Sequence, residues 1–190
     1  KLTSDEIKLE MMFAIALVGL NIILAEFEYF RTIPFFHPSQ LRAPWLYPAL
    51  LNIQFVFMFT LAKILIKNKW AITRIAIIYF SIRLALSAVL FGSGSWPIFP
   101  PMIIISAILF DWMVYKRSDL AGIVSAAFIF SVSFYAVESA YLYLLGIEKY
   151  IPRNSIEVLG VSASAVAVSI IAYWCGKKIS EVISSMPVKT

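Results

Sequence analysis

An all-α fold, a polytopic membrane protein of about six transmembrane helices with both termini cytoplasmic, is predicted by three features of this sequence. Of its 190 residues, 61% are hydrophobic and 14% charged, against roughly a quarter charged in an average soluble domain. Mean hydropathy is +0.86. Six apolar stretches reach or approach the ~20 residues that cross a ~30 Å hydrocarbon core. The basic residues alternate between connections so that nearly all of them share one side.

The first stretch, Glu10–Phe30, ends in acidic and aromatic residues and has no small-residue cleavage site, so it reads as a retained span and not a signal peptide. Trp45–Ile66 is the second. Ala71–Phe91 is the third and carries Arg83 near its middle; the kinked junction Gly92-Ser-Gly-Ser-Trp-Pro-Ile-Phe-Pro-Pro101 follows. Phe99–Tyr115, the fourth, is the shortest. Its Pro100 and Pro101 suit a helix start, where a missing N–H costs little. Leu120–Leu145 and Ser155–Cys175 complete the set. Gly122 with Ala126, and Gly160 with Ser164, are spaced as small residues that let helices approach closely. There is no strand alternation and no internal repeat. The connections are too short for a soluble domain, so 1–190 reads as a single transmembrane helical domain.

Lys1, Lys8, Lys63, Lys67, Lys69, Arg74, Lys116, Arg117, Lys177, Lys178 and Lys189 fall on one side of this arrangement. Only Arg31, Arg42, Lys149 and Arg153 fall on the other. The bias places both termini in the cytoplasm. The pI near 9.3 is therefore a topology signal and not a nucleic-acid footprint. Trp45, Trp70, Trp96, Trp174 and Tyr150 sit near span ends, as an interfacial aromatic belt does. The lone Cys175 excludes an internal disulfide, a CxxC pair and a zinc cage, and the lone His37 excludes a His-rich metal site built by this chain alone.

Ionisable groups inside spans mark the places where a membrane chain does something. Arg83 lies near mid-depth, and a guanidinium there costs ~3 kcal/mol on insertion scales. Glu26 and Glu28 lie at the outer end of the first span and Glu138 in the outer third of the fifth. Arg83 could meet Glu26 or Glu138 at a common depth. Asp111 lies nearer the inner face, about a turn from Lys116. Together Glu26, Glu28, Arg83, Asp111 and Glu138 form a candidate intramembrane polar network. The plain readings stand beside it: an ion pair that locks Arg83 into helix packing, a solvated acidic pair at Glu26 and Glu28, and a salt bridge from Asp111 to Lys116 or Arg117. Glu157, in the first turn of the last helix, suits the helix dipole, and His37 reads as a loop histidine. Soluble-enzyme motifs (GxSxG, Walker loop, HExxH, dinucleotide fingerprint) are missing. Gly92-Ser-Gly-Ser95 leads into Trp-Pro and makes no phosphate loop.

The order Arg83, a break, Phe99-Pro100, Ala107, Asp111-Trp112 and Tyr115 resembles the third-to-fourth span region of the A subunit of copper membrane monooxygenases, the particulate methane and ammonia monooxygenase family. Leu24-Ala-Glu-Phe-Glu-Tyr-Phe30 is similar to the end of that subunit's first span, Arg42-Ala-Pro-Trp45 to the start of its second, and Trp174-Cys-Gly-Lys177 to the exit of its last. Two departures mark a divergent member: Gly146–Ser155 is shorter than the family's outer segment, and Ala-Glu-Phe-Glu replaces Gly-Asp-x-Asp. The resemblance implies a hetero-oligomer with B- and C-type subunits, as a trimer of heteromers. It also implies oxidation of ammonia, methane or a short hydrocarbon by O₂ with copper. Partner subunits would hold the copper while this chain walls the intramembrane cavity. No cofactor and no catalytic residue is assigned to this chain, and Glu26 and Glu28 would be supporting or proton-path groups. Two other classes suit the length and span count: a substrate-binding membrane subunit of a transporter, and an accessory subunit of a respiratory complex. Neither explains the Arg83-to-Tyr115 order.

Overall fold

A computed structural model describes residues 3–30, 46–91, 100–144 and 155–185, and among them the chain is six α-helices without a strand. They are α1 (Ser4–Phe30), α2 (Leu46–Leu65), α3 (Ala71–Phe91), α4 (Pro100–Lys116), α5 (Leu120–Leu144) and α6 (Ser155–Ser185). Each apolar stretch in the sequence is one helix. The two terminal helices run further than their apolar segments.

Local chemistry sets the ends. Thr3 caps α1: its hydroxyl accepts the Glu6 amide at 3.3 Å, while its own N–H donates to Glu6 Oε2 at 3.0 Å. This reciprocal capping box satisfies two of the amides that a helix start leaves over, and it explains why α1 begins six residues before Glu10. Asp119 caps α5 by accepting the Gly122 amide at 2.9 Å. A side chain at position 122 would put its Cβ 1.8 Å from the Arg117 carbonyl oxygen, so the α4–α5 turn closes only over a glycine. Pro100 and Pro101 occupy the first helical positions of α4, where proline's missing donor removes no bond.

The helices form a ring in the order α1, α3, α4, α5, α6, α2, and α2 leans inward to touch α3 and α5 as well. Its residues therefore dominate the core. Phe55 and Phe59 of α2 meet Phe130 of α5, and Phe59 also meets Phe110 of α4; Phe134 stacks on Phe130 at 6.0 Å. Tyr79 of α3 stands edge-on to Phe55 at 5.1 Å. Aromatic pairs at these spacings add roughly 0.5–1.5 kcal/mol each beyond simple burial. Gly176 of α6 lies against Ile64 of α2. The Gly160 and Ser164 face of α6, by contrast, is exposed, with no atom within 4 Å of where a Cβ on Gly160 would stand.

Many large apolar side chains lie on the outside of the bundle. Met12 is 65% exposed, Trp112 48% and Ile171 58%, while Glu10, Asn21, Asn52, Asp111, Ser131, Glu138 and Ser162 are buried. By length and composition, Leu120–Ala140 and Val158–Ser185 are long and apolar enough to cross a membrane. Ala49–Leu65 and Met102–Tyr115 are shorter apolar helices.

Candidate functional site

The α2–α3 and α4–α5 turns lie at the same end of the bundle, and the best-defined polar site of the described residues is built beside them. α3 begins at Ala71, so Thr73 is its third residue and its amide is one of the donors a helix start leaves unpaired. Asp111 of α4 takes that donor. Its Oδ2 accepts the Thr73 N–H at 2.7 Å and the Thr73 hydroxyl at 2.9 Å. A carboxylate at a helix N-terminus also complements the helix dipole. Lys63, in the last turn of α2, donates to Asp111 Oδ1 at 3.4 Å and to the Asn68 carbonyl at 2.8 Å. Asp111 is wholly buried and the Lys63 side chain 9% exposed. One carboxylate thus joins the end of α2, the start of α3 and the middle of α4.

The next residue of α3 makes a second junction. Arg74 Nε donates to Glu10 Oε2 at 2.9 Å and Oε1 at 3.2 Å, and Arg74 Nη2 also reaches Oε1, which fixes α3 to α1. The two-pronged geometry suits a guanidinium and could not be reproduced by lysine. Successive helical residues diverge by about 100°, so Thr73 and Arg74 face different neighbours and brace α3 between α4 and α1.

These contacts revise the partners expected from the sequence. Asp111 pairs with Lys63, which is distant in sequence, whereas Arg117 pairs with its neighbour Asp119 at 3.3 Å. The side chain of Lys116 lies outside the described residues. Arg83 is half-buried on α3 and engages groups of its own. Among the described residues no ion pair within 4.0 Å joins it to Glu138. Glu26 and Glu28 lie in the last two turns of α1, with side chains outside the described residues. His37, Trp45, Trp96 and Tyr150 fall outside as well, as does the side chain of Glu157. Of the expected network residues whose side chains are described, Asp111 belongs to the lysine-rich end, whereas Glu138, in the last two turns of α5, sits toward the other end of the bundle. The Glu10–Arg74 pair was missed by sequence reasoning. Its one signal was a glutamate opening an apolar run opposite an arginine one turn into another, and that spacing fits many partners.

The carboxylates of Asp111 and Glu10 do not suit copper. Both oxygens of Asp111 and both of Glu10 already accept from cations or N–H and O–H donors, and copper(II) prefers imidazole nitrogens. Among the described residues no group of three His, Cys, Asp or Glu side chains is gathered for an ion. Comparison of the chain with protein-family models, with curated sequences and with solved structures gives no match.

Proposed function

We propose that this chain is a multi-pass membrane protein and a supporting, A-type subunit of a copper-dependent monooxygenase complex. In that complex it would wall an intramembrane cavity and aid assembly, with copper held by B- and C-type partners. The single observation that carries the reading is the order Arg83, Phe99-Pro100, Asp111-Trp112 and Tyr115. Within it, Asp111 is the buried residue that ties three helices together. Embedding in the membrane is supported by the many large apolar side chains left exposed, among them Met12, Leu84, Ile171 and Trp174. Both termini are then cytoplasmic, with the lysine-rich turns. Glu26 and Glu28, at the opposite end of α1 from the Glu10 junction, are proposed as groups near the path of protons to the partner's metal.

The test is purification of the tagged full chain from native membranes in a mild detergent. Copper-bearing partners with His-rich membrane helices are expected. An ATPase, or haem and quinone proteins, in their place would overturn the reading. In the purified complex, Glu26→Gln with Glu28→Gln is expected to lower turnover while leaving assembly intact, and unchanged turnover would remove the pair from the path.

A further inference from the structure

The seam between α2, α5 and α6 holds polar atoms that the fold leaves without partners. Glu138 is 4% exposed, and Asn52 and Ser162 are fully buried. Glu138 Oε2, Asn52 Nδ2 and Ser162 Oγ have no hydrogen-bond partner. The rest of the bundle treats buried charge differently. Asp111 meets Lys63, and Glu10 meets Arg74. Among the described residues Glu138 has no ion pair.

These groups lie along one seam. Ser131 of α5 donates to Asn52 Oδ1 of α2 at 2.7 Å, which sets the level of the two helices. One turn on, Tyr135 of α5 packs with Ala49 of α2 and with Val161 and Val158 of α6, which places Ser162 at nearly the same level. Glu138 is three residues beyond Tyr135, on the adjoining face of α5. At 1.5 Å per residue, the column from Asn52 to Glu138 is roughly 10 Å long. α2 and α6 run the same way and α5 the opposite way, so all three carry these residues in their halves away from the lysine-rich turns.

An isolated carboxylate in a dry interior is far too costly to persist without a neutralising partner, and buried polar atoms left over by the protein are ordinarily satisfied by water or a bound species. We propose that this seam is a binding site for a small monovalent cation, a proton or an alkali metal ion, with Glu138 as its charge-bearing ligand and Ser162 and Asn52 as its polar lining. The site is separate from the Asp111 junction and does not depend on which partners the chain assembles with. A cation enters Glu138's surroundings as the neutralising charge that Lys63 and Arg74 supply at the other end.

An apolar carbodiimide, N,N′-dicyclohexylcarbodiimide, tests this on the full chain in native membranes. It adds to carboxyl groups that are neutral acids in apolar surroundings and spares carboxylates held in ion pairs. Mass spectrometry is expected to find the adduct on Glu138 and none on Glu10 or Asp111, and the adduct is lost in Glu138→Gln. Glu138→Asp, which keeps the carboxyl, guards against a folding defect in the amide variant and retains labelling. Equal labelling in sodium, potassium and choline chloride identifies the occupant as a proton; suppression by sodium or potassium alone identifies a metal cation. Absence of label on Glu138, or equal label on Glu138, Glu10 and Asp111, overturns the proposal. An unchanged labelling rate in Ser162→Ala would remove Ser162 from the lining.

Discussion

Among the described residues, Asp111 ties together three helices, because its two oxygens answer three different needs. It caps α3, neutralises Lys63 and anchors α4. Deleting one partner of a buried pair leaves an uncompensated charge, which costs about 3–5 kcal/mol. Asp111→Ala is therefore expected to lower unfolding stability in detergent by that order, followed by tryptophan fluorescence during SDS titration. Pairing Asp111→Leu with Lys63→Met removes both charges and should recover much of the loss; a double variant as unstable as Asp111→Ala would show that the cap on Thr73, and not the ion pair, dominates. Glu6 supplies the pH dependence at this scale. The Thr3 backbone N–H holds its carboxyl below the ordinary value of 4.5, with the Thr3 hydroxyl adding to the effect. A lowered carboxyl stabilises the folded form above its unfolded value, and that contribution is lost as pH falls through the lowered one. Protection factors for amide exchange in the first turn of α1 should fall below about pH 4.5, and Glu6→Gln, which removes the titrating carboxyl, should abolish that pH dependence. Such a capping box is legible in the sequence as Thr3-Ser-Asp-Glu6; the hydrophobic scale that marked the span did not weigh it.

At the scale of elements, helix existence was readable and helix contacts were not. The six apolar stretches each became one helix because a helix satisfies the backbone hydrogen bonds of such a run within the run itself. Pro100 and Pro101 marked the start of α4 for the same reason that they could not have been inside it. The small-residue spacings misled in part. Gly122 is indispensable, yet its crowding comes from the Arg117 carbonyl in its own turn and not from an approaching helix. Gly122→Ala is expected to cost about 1–3 kcal/mol, as overpacking does, while Gly160→Ala, facing open space, should change stability little. Thermal denaturation of the two variants side by side checks this; equal losses would refute the placement of the α4–α5 turn. A spacing of four residues identifies one stripe of a helix but not what faces it, and this is why Gly122 and Gly160 looked alike in sequence.

For the whole molecule, large apolar side chains lie on both the inside and the outside: aromatic side chains fill the middle around α2 together with a few buried polar residues, while Met12, Trp112 and Ile171 face outward. The proposed topology follows from the charges at one end. A fluorescent protein fused to either terminus is expected to be fluorescent, and alkaline phosphatase at either terminus inactive, because the positive side remains in the cytoplasm. Phosphatase activity at one terminus would reverse the assignment. What the sequence by itself determined was the number and order of the helices among the described residues and the extent of the inner four, because backbone hydrogen bonding and apolar run length are local properties. Only the tertiary structure decided who meets whom. Arg83 attracted attention as the costly charge, yet the described contacts that brace α3 come from its first turn: the hydrogen bonds of Thr73 to Asp111 and the ion pair of Arg74 with Glu10. Glu138, which sequence depth alone grouped with Arg83, has no ion pair among the described residues. Pairings across 48 or 64 residues depend on how six helices rotate about their axes, and with apolar side chains on every face of each helix no periodicity in the sequence records that rotation.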